Sequence, residues 1–179
     1  MSESEQARVP LVAPDTAPPA VRAAYAEVAR KRGGVGHLWQ AMAHSPELMR
    51  RVGAVGEYLR YDSVLPDRLR ELVTLAVAGR WACAYERAQH QPLAERAGID
   101  AATRAAVLAG QVADGLDPLE AAAVRYALAL ARDGTVDEAL AAPLYAALGP
   151  QGLVELTVLV GYYSLLALFL NGLTVPVEA

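Results

Sequence analysis

Apolar residues recur at helical spacing along most of the chain, and no run of four or more residues alternates cleanly between apolar and polar. The pattern predicts an all-α fold. Ala-rich Val21 to Arg32 stops at Gly33-Gly34, and a short helix follows from Gly36 to Ala43. Ser45 with Pro46 is an N-cap and first-turn pair that opens a helix to about Arg60. Leu65 to Arg80 carries Leu69, Leu72, Val73, Ala76 and Val77 on one stripe, and Ala82 to Ala97 is a second amphipathic piece, bent or interrupted near Pro92. Asp100 caps a short helix ending at Gly110, and Asp117-Pro118 opens another through Ala131 that Gly134 ends. Val136 to Leu148 is a further helix, separated by Gly149-Pro150 from a final apolar one.

Prolines at 10, 14, 18 and 19 predict an extended tail over residues 1–19 and leave 20–179 as a single domain. A chain of 179 residues, 54% hydrophobic, buries enough surface for a core without disulfide or metal staples. Its one cysteine cannot form an internal bridge, and the opening MSESEQARVP lacks the basic start and apolar stretch of a secretory signal. A cytoplasmic protein is expected. Net charge of -4 with interspersed Arg, Asp and Glu offers no broad positive face, which argues against a nucleic-acid partner. Leu156 to Val177 is uncharged and long enough to cross a hydrocarbon core of about 30 Å. Gly161, Tyr162, Tyr163, Ser164, Asn171, Gly172 and Pro176 interrupt it, and no Lys or Arg follows as an anchor. The expectation is therefore no membrane span but a central helix, covered all round by its own domain or a partner subunit, and hence a symmetric homo-oligomer.

The familiar GxxxxGK[ST], HExxH and GxSxG patterns are absent. The informative stretch is RELVTLAVAGRWACAYERAQHQPLAERAG, Arg70 to Gly98, which holds the only cysteine and one of three histidines. On a helix, Cys83, Glu86 and His90 stand at i, i+3 and i+7, within about 60° of one direction. A thiol, a carboxylate and an imidazole on one face supply a nucleophile or acid, a second acid/base, and a group titrating near neutrality. In the first turn, Cys83 would have its thiolate favoured by the helix dipole. Glu71 lies twelve residues earlier, about 18 Å along a continuous helix, and joins the cluster only if the chain turns near Gly79 to Ala82. The same residues also admit a plain structural reading, with Cys83 a small buried hydrophobe and Glu86 and His90 a surface i, i+4 pair. A zinc site from Glu71, Cys83, Glu86 and His90 is chemically possible, but two carboxylates with one thiolate suit few structural metals, so no metal is expected.

The arrangement Glu71, eleven residues, Cys83, two residues, Glu86, three residues, His90 resembles the signature of the carboxymuconolactone decarboxylase and alkylhydroperoxidase-D-like superfamily, whose redox branch carries E-x11-C-x2-C-x3-H. HLWQAMAHSPEL (His37 to Leu48), LPDRLRELVTLAV (Leu65 to Val77), YERAQHQPLAERAG (Tyr85 to Gly98) and ELTVLVGYYSLLALFLNGL (Glu155 to Leu173) are similar to the superfamily's wording, over roughly Arg8 to Pro176. The resemblance implies an all-α fold assembled as trimers or hexamers, without a cofactor. In the peroxidase branch the second cysteine attacks peroxide and the first resolves it; here Glu86 holds the second position and Cys83 matches only the first. A peroxidase would then need an outside thiol to resolve a sulfenic acid on Cys83.

The resemblance therefore points toward the decarboxylase side: loss of CO2 from an unsaturated lactone acid, with a dienolate stabilised and then protonated. On this reading His90 and Glu86 exchange the proton, Glu71 orients His90 or tunes its charge, and Cys83 is a secondary acid or a polar wall. Arg80 or Arg87 would hold an anionic group of a small-molecule substrate, while Trp39, Tyr58, Tyr61 and Trp81 would line the pocket; a solvated Arg and core aromatics are the plain alternatives. His44, just before Ser45-Pro46, would bond a helix terminus, and His37 has no catalytic claim. Two other functions stand beside this one: a thiol peroxidase using Cys83 with external reductant, and a non-catalytic oligomeric binding protein.

Overall fold

A computed structural model describes residues 7–178. The described residues form eight α-helices and one 3-10 turn, with no strand among them: α1 (Pro19–Ala29), α2 (His37–Met42), α3 (Pro46–Tyr61), α4 (Asp67–Arg80), α5 (Ala84–Arg96), α6 (Ala101–Leu108), α7 (Pro118–Asp133) and α8 (Glu138–Gly172). The fold is all-α. Residues 1–6 of the expected tail lie outside the described residues, as does Ala179. The rest of that tail is extended except where Pro14–Thr16 forms the 3-10 turn, a departure that suits Pro14 at its first position.

The helices divide into two compact units, one from Met1–Asp62 with Phe169–Ala179, the other Ser63–Leu168. In the first, Tyr25 and Val28 of α1, Trp39 and Met42 of α2, and Met49 and Leu59 of α3 form the core. Gly53 permits the α1–α3 approach, since a Cβ there would sit 2.6 Å from Val28 Cγ1. The tail is tied to this unit by its backbone: Arg8 N–H donates to the Leu173 carbonyl at 2.8 Å and Val12 N–H to that of Gln40 at 3.2 Å. His44 Nε2 pairs with the Pro10 carbonyl at 2.8 Å, so this histidine holds the tail and not a helix terminus. His37 Nδ1 meets the Pro176 carbonyl at 3.0 Å.

The second unit is built around α4, whose residues Leu69 to Ala78 are all buried. It packs against α5, α6 and α7. Within this unit α4, and not the last apolar helix, is the one covered all round by its own domain. Helix α4 carries Arg70, Glu71 and Thr74 into the interior with partners for most of their polar atoms: Thr74 Oγ1 donates to the Arg70 carbonyl at 2.9 Å, Arg70 Nη1 to the Leu65 carbonyl at 3.2 Å and Nη2 to the exposed Asp67 Oδ1 at 2.8 Å, while Arg70 Nε is buried without a hydrogen bond. Local chemistry sets the ends of the other helices. Asp100 accepts from Thr103 N–H, and Asp117 with Glu120 forms a reciprocal capping box opposite a left-handed Gly134. Helix α5 continues through Pro92 and is not interrupted there; the missing N–H leaves one carbonyl without its usual donor. Helix α8 breaks at Gly149, where φ is 69°. Beyond it one face, Leu156, Leu159, Val160, Tyr163, Ala167, is buried and the opposite face is not. This helix is long and apolar enough to cross a membrane, but half of its most apolar window is buried inside the fold.

Candidate active site in the second unit

The chain reverses between α4 and α5 in three residues. Trp81 N–H still bonds the Val77 carbonyl, Ala82 takes a left-handed φ of 48°, and Cys83 N–H bonds back to the Ala78 carbonyl at 2.9 Å. Cys83 is thereby the N-cap residue of α5. The reversal lays the start of α5 beside α4 and brings Glu71 to His90, the turn that their separation in sequence demands. Glu71 Oε2 lies 2.7 Å from His90 Nδ1. On the other side of the ring, His90 Nε2 lies 3.5 Å from Glu86 Oε2, one helical turn earlier on α5. Glu71, Glu86 and His90 are each 5% exposed or less.

A carboxyl group against Nδ1 orients the imidazole and turns Nε2 toward Glu86. Tyr163 of α8 closes the remaining side edge-on, 4.9 Å between ring centroids, and Tyr162 packs edge-on against Tyr163 in turn. Sequence spacing could not place this tyrosine, 73 positions from His90; its only signal is a polar-edged ring inside an apolar run.

Cys83 opens on the other side to a cavity of about 250 Å³, shared with Gly79, Ala82, Ala84, Arg87 and Leu108. Burial pushes its thiol above the ordinary range; the amide groups of Glu86 and Tyr85 oppose this, while the Glu86 carboxylate adds to it. The dipole effect expected from the first turn is present, but desolvation outweighs it. Gly79 allows α6 to touch α4, because a Cβ there would lie 2.2 Å from the Leu108 carbonyl oxygen.

Residues 46–129, from α3 through most of α7, match the Carboxymuconolactone decarboxylase family. Solved structures agree over the whole fold. A peroxidase-related protein from Silicibacter sp. TM1040 has a TM-score of 0.83 at 18% identity, covering 100% of this chain and 95% of its own. An alkylhydroperoxidase AhpD core from Ralstonia eutropha JMP134, also peroxidase-related, gives 0.81 at 19%, covering 96% and 92%. The fold is that of AhpD-like proteins. Within the same fold, a cysteine-to-alanine variant of the debrominase Bmp8 in complex with 2,3,4-tribromopyrrole gives 0.76 at 16%, covering 97% and 95%. No curated protein matches the chain.

Glu71, Cys83, Glu86 and His90, the four residues that carry the resemblance, are all buried in one unit. Of the expected substrate contacts, Arg87 lines the Cys83 cavity. Arg80 instead stacks on Trp81, 5.1 Å from its ring, and Trp81 Nε1–H donates to Ser164 Oγ at 2.9 Å. Trp39, Tyr58 and Tyr61 belong to the first unit. Trp39 is buried beneath the Arg32 guanidinium, Tyr61 donates its hydroxyl to the Lys31 carbonyl, and Tyr58 is exposed on α3. Among the described residues, no three His, Cys, Asp or Glu side chains are grouped to hold a metal ion.

Proposed function

We propose that this protein is a carboxymuconolactone decarboxylase-like enzyme that transfers protons to a small unsaturated acid or lactone, with Cys83 as the group that meets the substrate. The observation that carries the reading is the buried chain Glu71, His90, Glu86, with ring contacts of 2.7 and 3.5 Å, whose last carboxylate acts electrostatically on a thiol that lines a cavity. A thiol whose burial keeps it protonated is an acid at neutral pH. Loss of CO2 leaves an electron pair on the substrate as a dienolate, and Arg87 neutralises the developing negative charge. Cys83 S–H donates its proton to the carbanion carbon. Glu86, as the carboxylic acid, returns a proton to the thiolate and takes another from Nε2 of an imidazolium His90, whose charge Glu71 balances at Nδ1. Water reprotonates His90, supplying the one proton that replaces CO2 in each turnover. The proton shuttle runs through Cys83, more central than a polar wall.

The test is CO2 release from a panel of unsaturated lactone acids by wild type, His90→Ala and Cys83→Ala. Turnover in wild type that falls at least about 100-fold in both variants supports the reading; wild-type rates in His90→Ala exclude it. One observation favours a second reading: the cavity is lined by the thiol, as a nucleophile would be. A thiol peroxidase would consume peroxide with an added dithiol and lose that activity in Cys83→Ala, with the dithiol resolving the sulfenic acid.

A further inference from the structure

The turn that delivers Cys83 adopts a conformation its own residues disfavour. Ala82 carries a Cβ, yet its φ of 48° lies in the left-handed region, where that Cβ crowds the following carbonyl oxygen. Within the turn, Ala82 N–H donates to the Gly79 carbonyl at 3.1 Å and Cys83 N–H to the Ala78 carbonyl at 2.9 Å. Both bonds run to the end of α4. A disfavoured backbone persists where the structure around it over-determines it, and the second hold comes from α8.

Trp81 Nε1–H donates to Ser164 Oγ at 2.9 Å, across 83 positions of sequence, while the Arg80 guanidinium lies 5.1 Å from the indole ring. Ser164 follows Tyr163, which stands edge-on to His90 at 4.9 Å. All of these residues belong to the second unit. Consecutive residues of α8 thus reach the two halves of the site, one at the imidazole and one at the turn that carries the thiol. Trp81 immediately precedes Ala82, so relaxing the Ala82 φ swings Trp81 relative to Cys83, and an indole anchored on α8 opposes that swing. We infer that Trp81 and Ser164 are positioning residues for Cys83, their hydrogen bond holding the turn so that the thiol stays buried against its cavity. From the proposed function this takes only that Cys83 is the reacting thiol. Releasing the turn exposes Cys83, which is 2% exposed in the intact fold, and lets its titration fall toward the ordinary thiol range, because burial is the largest cause of its rise.

Cys83 is the only cysteine in the chain, so the pH profile of its alkylation by iodoacetamide reports this thiol alone and requires no substrate. Ser164→Ala is expected to lower the midpoint of that profile by about one pH unit, with helical circular dichroism unchanged. The rate at neutral pH should rise at least about threefold, the thiolate gained less the nucleophilicity lost with it. Ser164→Thr keeps the hydroxyl and should keep the wild-type profile. Trp81→Phe keeps a ring beneath Arg80 but loses the donor; it should match Ser164→Ala, and the two together should go no further than either alone. Glu86, which acts on the thiol, and Arg87, which shares its cavity, are untouched by these variants. Should Ser164→Ala fail to fold, Trp81→Phe carries the test. An unmoved profile in either single variant, whether or not its Tm falls, would overturn the positioning role, as would a shifted profile in Ser164→Thr or additive shifts in the double variant. A profile that moves as expected in a protein that releases no CO2 would uphold the positioning role and sink the proposed activity instead.

Discussion

Replacing Gly79 by Ala is the sharpest test of how the cavity is framed. The new Cβ would stand 2.2 Å from the Leu108 carbonyl oxygen, 2.8 Å from its carbon and 2.9 Å from Cα. A carbon–oxygen contact needs about 3.3 Å, so the end of α6 must retreat by about 1 Å. All three atoms are backbone, and no side chain can swing aside to relieve them. Forced overpacking of this kind costs about 3 kcal/mol, at the upper end of its usual range. Ala for Gly near a helix end returns at most about 1 kcal/mol through helix propensity. The net loss of about 2 kcal/mol lowers Tm by about 4–8 °C for a chain of this length. Calorimetry of wild type and Gly79→Ala measures it. Because Gly79 and Leu108 both line the cavity, substrate affinity should fall with stability. A variant as stable as wild type would refute the packing of α6 on α4 and with it the cavity's inner wall.

Removing the anchor of the imidazole should separate catalysis from folding: Glu71→Gln keeps the volume but replaces the carboxyl partner of His90 Nδ1, and turnover should fall about 100-fold with helical content unchanged; unaltered kcat would contradict the orienting role. The thiol of Cys83 titrates higher in the folded state than in the unfolded one, so its contribution to stability is complete below the ordinary thiol pKa and is lost as pH rises through the folded value. Chemical denaturation across the alkaline range should show wild type losing more stability than Cys83→Ala, and parallel curves would contradict this. Asp117→Ala removes one side of the α7 capping box and should cost about 1 kcal/mol, read from the denaturation midpoint, without altering activity. Arg87→Ala should raise KM for an anionic substrate, and a normal KM would remove the guanidinium from the cavity's chemistry.

Helix ends governed by one or two neighbouring residues were legible. Asp100, Asp117 and Gly134 carry their caps in their own side chains or backbone freedom, and each ends a helix within a residue or two of where the pattern places it. The relation of Cys83, Glu86 and His90 was legible for the same reason, since helical spacing is local. Glu71 was legible only as a condition, because its approach depends on three residues that turn with Ala82 in a left-handed conformation. What spacing cannot carry is tertiary neighbourhood. Tyr163 and Leu108 reach the site from helices far along the chain. Trp39, Tyr58 and Tyr61 fold into the other unit although composition groups them with Trp81. Hydropathy alone did not single out the helix buried within its own unit. Helix α4 hides Arg70, Glu71 and Thr74 through hydrogen bonds that no apolar count registers, while α8, the more apolar of the two, keeps one face exposed.

The central claim is that the proton reaching the substrate comes from Cys83 and is resupplied by His90 through Glu86. Its most direct measurement is deuterium uptake at the protonated carbon of an unsaturated lactone acid turned over in D2O, followed by mass spectrometry in wild type and Cys83→Ala. The account predicts one deuterium per turnover in wild type and at least about 100-fold slower labelling in the variant. Equal labelling rates in the two proteins would contradict it.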